Sequence, residues 1–178
     1  MTPFCSAVLV SPDVAVVATR CTDQVRLEHI SLGFGSEADV PPVASVVVLD
    51  ADPRVSAIVL EGPVGGVEPA TLEVARAAEQ VRSISRLYVV KGEPRESWVW
   101  EGKVLDRDDA LLWVAPSSKP GPNCHGDAGA PITNQRGSLV GLSITGAFDG
   151  ASCLARVGAV AVSAFDDVFD EALTYAGW

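Results

Sequence analysis

Cys124-His125-Gly126-Asp127-Ala128-Gly129-Ala130-Pro131 is the stretch whose reading decides the fold of this chain. Two glycines bracket Asp127-Ala128, and a proline closes the run. Glycine frees the backbone for a tight turn, and a tight turn can aim neighbouring backbone N–H groups at one point. Alone, the stretch would pass for any Gly-rich turn. Its surroundings are short apolar runs that read as strands: Ala110 to Val114 before it, and Pro131 to Thr133 and Leu139 to Ile144 after it.

The same pattern extends in both directions. Upstream, Ala7–Val10 and Val14–Ala18 flank Ser11-Pro12-Asp13 as in a hairpin, and Val43–Leu49 and Val55–Leu60 follow. The tract Leu72–Val81 suits either a helix or a strand leading into a linker. Arg86–Val90, Trp98–Leu105 and Cys153–Val157 complete the series. Regularly spaced strands with few helix signals predict an all-β sandwich or barrel. The C-terminus differs: Phe165, Val168, Phe169, Ala172 and Leu173 recur at i, i+3, i+4, i+7 and i+8, with Ser163 placed as the cap of a terminal amphipathic helix.

Composition narrows the function. The 178 residues carry a formal net charge of −10 and no basic run or Gly-rich phosphate loop. That argues against nucleic acid, whose binding rests on Lys and Arg displacing counterions. No apolar run approaches the ~18 residues that span a bilayer. Residues 1–5 show no basic n-region followed by an apolar stretch, so either export does not use that route or the sequence begins after a leader. Cysteines stand at 5, 21, 124 and 153, with no C-x-x-C pair and no finger-spaced histidines. A metal site is therefore not expected, and two disulfides formed in an oxidising compartment are. Counting leaves three connectivities open.

The 124–131 stretch resembles the nucleophile loop of trypsin-like (chymotrypsin-fold) serine proteases, which reads Gly-Asp-Ser-Gly-Gly-Pro. Phe4-Cys5-Ser6-Ala7-Val8-Leu9-Val10-Ser11-Pro12 and Val16-Val17-Ala18-Thr19-Arg20-Cys21 are similar to that family's first hairpin, which ends on a Thr-Ala-Ala-His-Cys-like stretch. Leu139–Gly146 is similar to the strand lining the primary specificity pocket, with Cys153 following. The likeness spans residues 4 to 176. It implies two antiparallel β-barrels and a C-terminal α-helix: 1–75, a linker at 76–86, 87–162, and helix and tail at 163–178. It also implies disulfides Cys5–Cys21 and Cys124–Cys153, oxyanion-hole-like N–H donors at Gly126 and Ala128, and a pocket lined by Pro122, Ile144, Thr145 and Gly146. Secretion or a periplasmic location follows from the same likeness.

The chemistry departs from that family. A triad needs a hydroxyl to attack, an imidazole to take its proton and a carboxylate to orient the imidazole. The nucleophile position holds Ala128. The base position, before Cys21, holds Arg20, whose guanidinium stays protonated and cannot accept a proton. The carboxylate belongs at the start of an Asp-Ile-Ala-Leu-Leu-like strand, a place that falls on Arg54 without gaps and on Ser56 after a two-residue shift. The family's longer N-terminal segment supplies a strand and an amine that pairs with the equivalent of Asp127, whereas four residues precede Cys5 here. The N-terminal strand is therefore expected to be missing, leaving a barrel edge where another chain can add a strand.

These features imply a non-catalytic binding or regulatory module with a protein or peptide partner, no cofactor and no metal. One alternative is a serine endopeptidase inactivated by an engineered Ser→Ala at residue 128. Another is a structural subunit completed by a partner chain. In the degenerate cleft, Arg20 is expected to be anchored by a carboxylate, with Asp50 and Asp52 nearest in sequence, because an unpaired buried cation is costly.

Overall fold

The Ser11-Pro12-Asp13 turn folds β1 (Ala7–Ser11) back onto β2 (Val14–Ala18) in this computed structural model. The Ser11 hydroxyl donates to Asp13 Oδ1 at 3.0 Å inside the turn. The structure describes residues 5–23, 25–34, 39–48, 54–86, 97–117, 129–146, 157–165 and 172. In the N-terminal lobe, β3 (Val43–Val48) and β4 (Val55–Leu60) join the hairpin in the order β1-β2-β4-β3, all antiparallel. Every residue of β2 and β4 is buried, which is why both read as apolar runs, interrupted only by Ser56. On one side Leu9, Ala15, Val17, Ile58, Leu60 and Val64 form the lobe's own core.

The other side joins the two lobes. Val14, Val16, Ala18, Val55, Ala57 and Val59 pack against Leu139, Leu142, Ile144, Val160, Val162 and Ala172. Fully burying one Val, Leu or Ile side chain is worth about 1.5–3 kcal/mol. Separating the lobes would expose several at once, so they behave as one unit.

The C-terminal lobe contains β5 (Gln80–Arg86), β6 (Ser97–Arg107), β7 (Leu111–Pro116), β8 (Pro131–Asn134), β9 (Leu139–Gly146) and β10 (Val157–Ala161). They form a closed barrel in the order β10-β7-β6-β5-β8-β9, with β9 paired to β10. Trp100, Val104, Leu112, Val114, Ile132 and Val140 help fill its interior. The all-β architecture expected from the sequence is therefore present.

Three details differ from expectation. The first lobe is, among the described residues, a four-stranded sheet where a barrel was expected. Residues 76–86 were assigned to a linker, yet β5 occupies Gln80–Arg86 as a barrel strand. Val81 is buried between exposed Gln80 and Arg82, but the alternation then puts Ser83 inside and leaves Ile84 46% exposed, so an apolar-in, polar-out pattern did not reveal it. Ser163 was expected as the cap that begins the terminal helix. It lies inside a 3-10 turn (Val162–Phe165), and its hydroxyl donates to the Asp109 carbonyl at 3.1 Å. Of the expected C-terminal helix only Ala172 is described, helical and fully buried in the interlobe core.

Candidate active-site region at the lobe junction

The chain leaves β2 at Ala18 and enters a 3-10 turn, Thr19-Arg20-Cys21. Three constraints fix this turn. The Thr19 amide donates to the Arg54 carbonyl at 2.8 Å. Cys21 is bonded to Cys5, the first of the expected disulfides. Beneath the turn, Thr19 Oγ1 lies 2.9 Å from Ser56 Oγ. Thr22 Oγ1 lies 3.2 Å from the same Ser56 oxygen and 3.1 Å from the Thr19 carbonyl.

Ser56 is fully buried and is held by β2–β4 pairing, opposite Val17. Of the two residues considered for the carboxylate position, Ser56 meets the turn carrying Arg20 through its side chain and Arg54 through its carbonyl. The side chains of Thr19, Thr22 and Ser56 form a cluster of three neutral hydroxyls. None ionises near neutral pH, so the cluster holds the turn without supplying a carboxylate. Thr19 and Thr22 were not singled out from the sequence. Their one signal is that two hydroxyl residues bracket Arg20-Cys21, a spacing too common to mark a site.

Arg54 meets the same turn through its backbone, whose carbonyl accepts from the Thr19 amide at 2.8 Å. The residue is exposed, and its charge contributes to lowering the pKa of Asp108, in the turn between β6 and β7 of the other lobe. The larger causes are the hydrogen bonds that Asp108 Oδ1 accepts from the amides of Ala110 and Leu111, at 2.8 and 2.6 Å.

The acidic anchors expected for Arg20, Asp50 and Asp52, lie outside the described residues. Arg20 is exposed, and its side chain forms no ion pair or hydrogen bond to any of the described residues. A hydrated guanidinium needs no counter-charge, which removes the cost on which that expectation rested.

Gly129 connects this turn to the second lobe. Its φ is +78°, a left-handed conformation that favours glycine, and its amide donates to the Ser143 carbonyl at 2.8 Å. A Cβ there would come within 1.9 Å of the Ser6 carbonyl oxygen and 3.4 Å of the Ala18 nitrogen. The backbone following Ala128 thus lies against the hairpin that leads into Arg20. Pro122, Cys124, Gly126 and Ala128 lie outside the described residues, as does Cys153 and with it the second expected disulfide. Thr145 and Gly146 end β9, paired with Gly158 and Val157. Ile144, expected to line a pocket, is 8% exposed and packs in the interlobe core.

A second polar cluster ties the segment entering the C-terminal lobe to the barrel. Leu72 pairs with Leu139, and the Leu139 amide donates to the Thr71 carbonyl at 2.7 Å. The Glu73 carboxylate accepts hydrogen bonds from Asn134 Nδ2 at 3.0 Å and Ser138 Oγ at 3.1 Å, and is paired with Arg136. Partial desolvation raises the Glu73 pKa, but the bonds from Arg136, Ser138 and Asn134 and the charge of Arg136 outweigh it, so the carboxyl is held below its ordinary value.

No protein-family model and no curated protein matches the sequence. Solved structures do match. Neuropsin, a serine protease expressed in the limbic system of mouse brain, aligns with TM-score 0.69 at 14% identity, covering 96% of this chain and 89% of its own. Kallikrein-related peptidase 10 gives 0.71 at 14%, covering 96% and 90%. An inactivated protease paralogue of the scabies mite gives 0.69 at 16%, covering 96% and 88%. The fold is that of the chymotrypsin-like serine proteases. At these identities the likeness speaks for the fold alone.

Proposed function

We propose that this chain is a trypsin-like serine protease homologue that has lost catalysis and acts as a binding or regulatory module. The observation that carries this is the turn after β2, where an exposed Arg20 stands over a neutral Thr19–Ser56–Thr22 cluster. Among the described residues, the side chains gathered at that turn are Arg20 and three hydroxyls, with no imidazole or carboxylate bonded to them. The sequence removes the third member, because Ala128 has no heteroatom to attack a carbonyl. Changes at all three positions favour a naturally inactive homologue over an enzyme disabled at one residue. One structural neighbour is itself described as an inactivated paralogue, which makes the same scaffold without catalysis a precedented arrangement.

In this account the partner is a protein or peptide, bound at the cleft between the lobes or along the outer edge of β1. The Cys5–Cys21 disulfide fits an oxidising compartment, in keeping with a secreted or periplasmic protein. Affinity capture from the native source, using the wild-type chain beside one with the β1 edge blocked by Ala7→Pro, tests the binding role. A partner retained by the first and lost by the second supports strand addition. Retention by both moves the interaction to the cleft, and recovery of no partner from either counts against a binding module.

A further inference from the structure

Behind the Arg20 turn, on the side of the first sheet away from the lobe junction, is a cavity of about 140 Å³. Ala7, Val17, Val25, Ile30, Leu32 and Ile58 give it an apolar lining, and the Cys5–Cys21 disulfide forms part of its wall. Val17 and Ile58 are 3% and 2% exposed and belong to strands at the centre of the sheet, so that part of the lining is rigid. Polar groups in the lining are few: Thr22, His29 and Ser31. Thr22 is already engaged with Thr19 and Ser56.

His29 offers one directed donor. Its Nε2 lies 3.3 Å from Arg26 Nη2. A guanidinium only donates, so in this contact Nε2 accepts and the ring's N–H donor is at Nδ1. The charge of Arg26 is matched by Glu28 at 3.1 Å. With that pair neutralised and a net charge of −10 on the chain, nothing favours an anionic ligand. An apolar cavity of about 150 Å³ accommodates a benzene ring.

We propose that this cavity is a binding site for a small neutral molecule consisting of one ring-sized apolar group and one hydrogen-bond acceptor. The ring packs against Ile30, Leu32 and Ile58, and the acceptor receives a hydrogen bond from His29 Nδ1–H. The site is separate from the cleft, and its test does not depend on whether the chain binds a protein partner.

Benzamide and toluene are suitable probes, the first carrying the acceptor and the second lacking it. Methyl-resolved NMR titration of the full chain should show saturable shifts at Val17, Ile30, Leu32 and Ile58 with both. Benzamide should bind about fivefold more tightly, the worth of one neutral hydrogen bond. His29→Ala, an exposed change that leaves the core intact, should abolish that preference while toluene binds as before. Val25→Trp, which fills the cavity, should abolish binding of both. The proposal is overturned if no saturable shift appears, or if the methyls of the second barrel at Val81 and Leu112 respond equally. It is also overturned if His29→Ala keeps the preference for benzamide.

Discussion

Gly129 lies so close to Ser6 that a methyl group on its Cα would reach within 1.9 Å of the Ser6 carbonyl oxygen. This close approach sets the backbone that follows Ala128 against the hairpin of the other lobe. Gly129→Ala combines that clash with a left-handed φ, and neither neighbour can yield because both are backbone. We expect a loss of about 3 kcal/mol or more, measured by urea unfolding. A loss below about 1 kcal/mol would mean that the lobes are not joined there. Gly137, also at positive φ but with open space around it, is the control. Gly137→Ala should cost only about 1 kcal/mol.

Ser83 has a buried hydroxyl with no hydrogen-bond partner, in the wall of the second barrel between Trp100 and Ile132. A buried polar group left unpaired costs about 1–3 kcal/mol. Ser83→Ala should therefore stabilise the protein by about 1 kcal/mol, read as a higher urea midpoint with an unchanged slope. Destabilisation would indicate that the hydroxyl has a partner.

Glu73 makes stability depend on pH in a definite direction. Its folded pKa is depressed below the ordinary 4.5, so the native state binds its proton less readily than the unfolded chain. The contribution is fully present above pH 4.5 and is lost as pH falls through the folded value. Glu73→Gln should flatten that part of the stability–pH curve, with little change in its shape above pH 5 to 6. An unchanged acid limb would show that Glu73 is not held by Arg136, Asn134 and Ser138.

The Cys5–Cys21 bridge, with a sequence separation of 16, holds the turn that carries Arg20. Loop-closure entropy for a loop of that size gives about 3 kcal/mol. The double change Cys5→Ala with Cys21→Ala should lower stability by that order, as followed by chemical denaturation. An unchanged midpoint would show that the neighbouring hydroxyl cluster suffices.

The fold was legible where the sequence repeats a physical requirement. Val14–Ala18 is apolar throughout, and Val55–Leu60 is apolar but for Ser56, because both faces of those strands are covered, and the structure buries both completely. It was illegible where side-chain polarity and position disagree. Gln80–Arg86 buries a serine and exposes an isoleucine, so it read as linker. In the site, the identity of Arg20 excluded a proton acceptor without any coordinates. Spacing alone could not choose between Arg54 and Ser56, and both meet the Arg20 turn, Arg54 through its carbonyl and Ser56 through its hydroxyl. Nor could it say whether Arg20 is buried. The cost that suggested an acidic anchor applies only to a desolvated cation, and Arg20 is exposed.

Rebuilding the triad tests the assignment of the positions. Arg20→His, Ser56→Asp and Ala128→Ser together restore an imidazole, a carboxylate beneath it and a hydroxyl. Ala128→Ser alone should remain at background, because triad members act as a unit. If the triple variant gains turnover on peptide esters, Ser56 marks the carboxylate position. If a variant with Arg54→Asp in place of Ser56→Asp is the active one, that assignment is wrong.

Loss of catalysis is the central claim, and a fluorophosphonate probe tests it most directly. Incubated with the wild-type chain and followed by intact-mass spectrometry, the probe should leave the mass unchanged, because the nucleophile position holds Ala128 and the base position holds Arg20. A stoichiometric adduct on any serine of the wild-type chain, lost on heat denaturation, would contradict it.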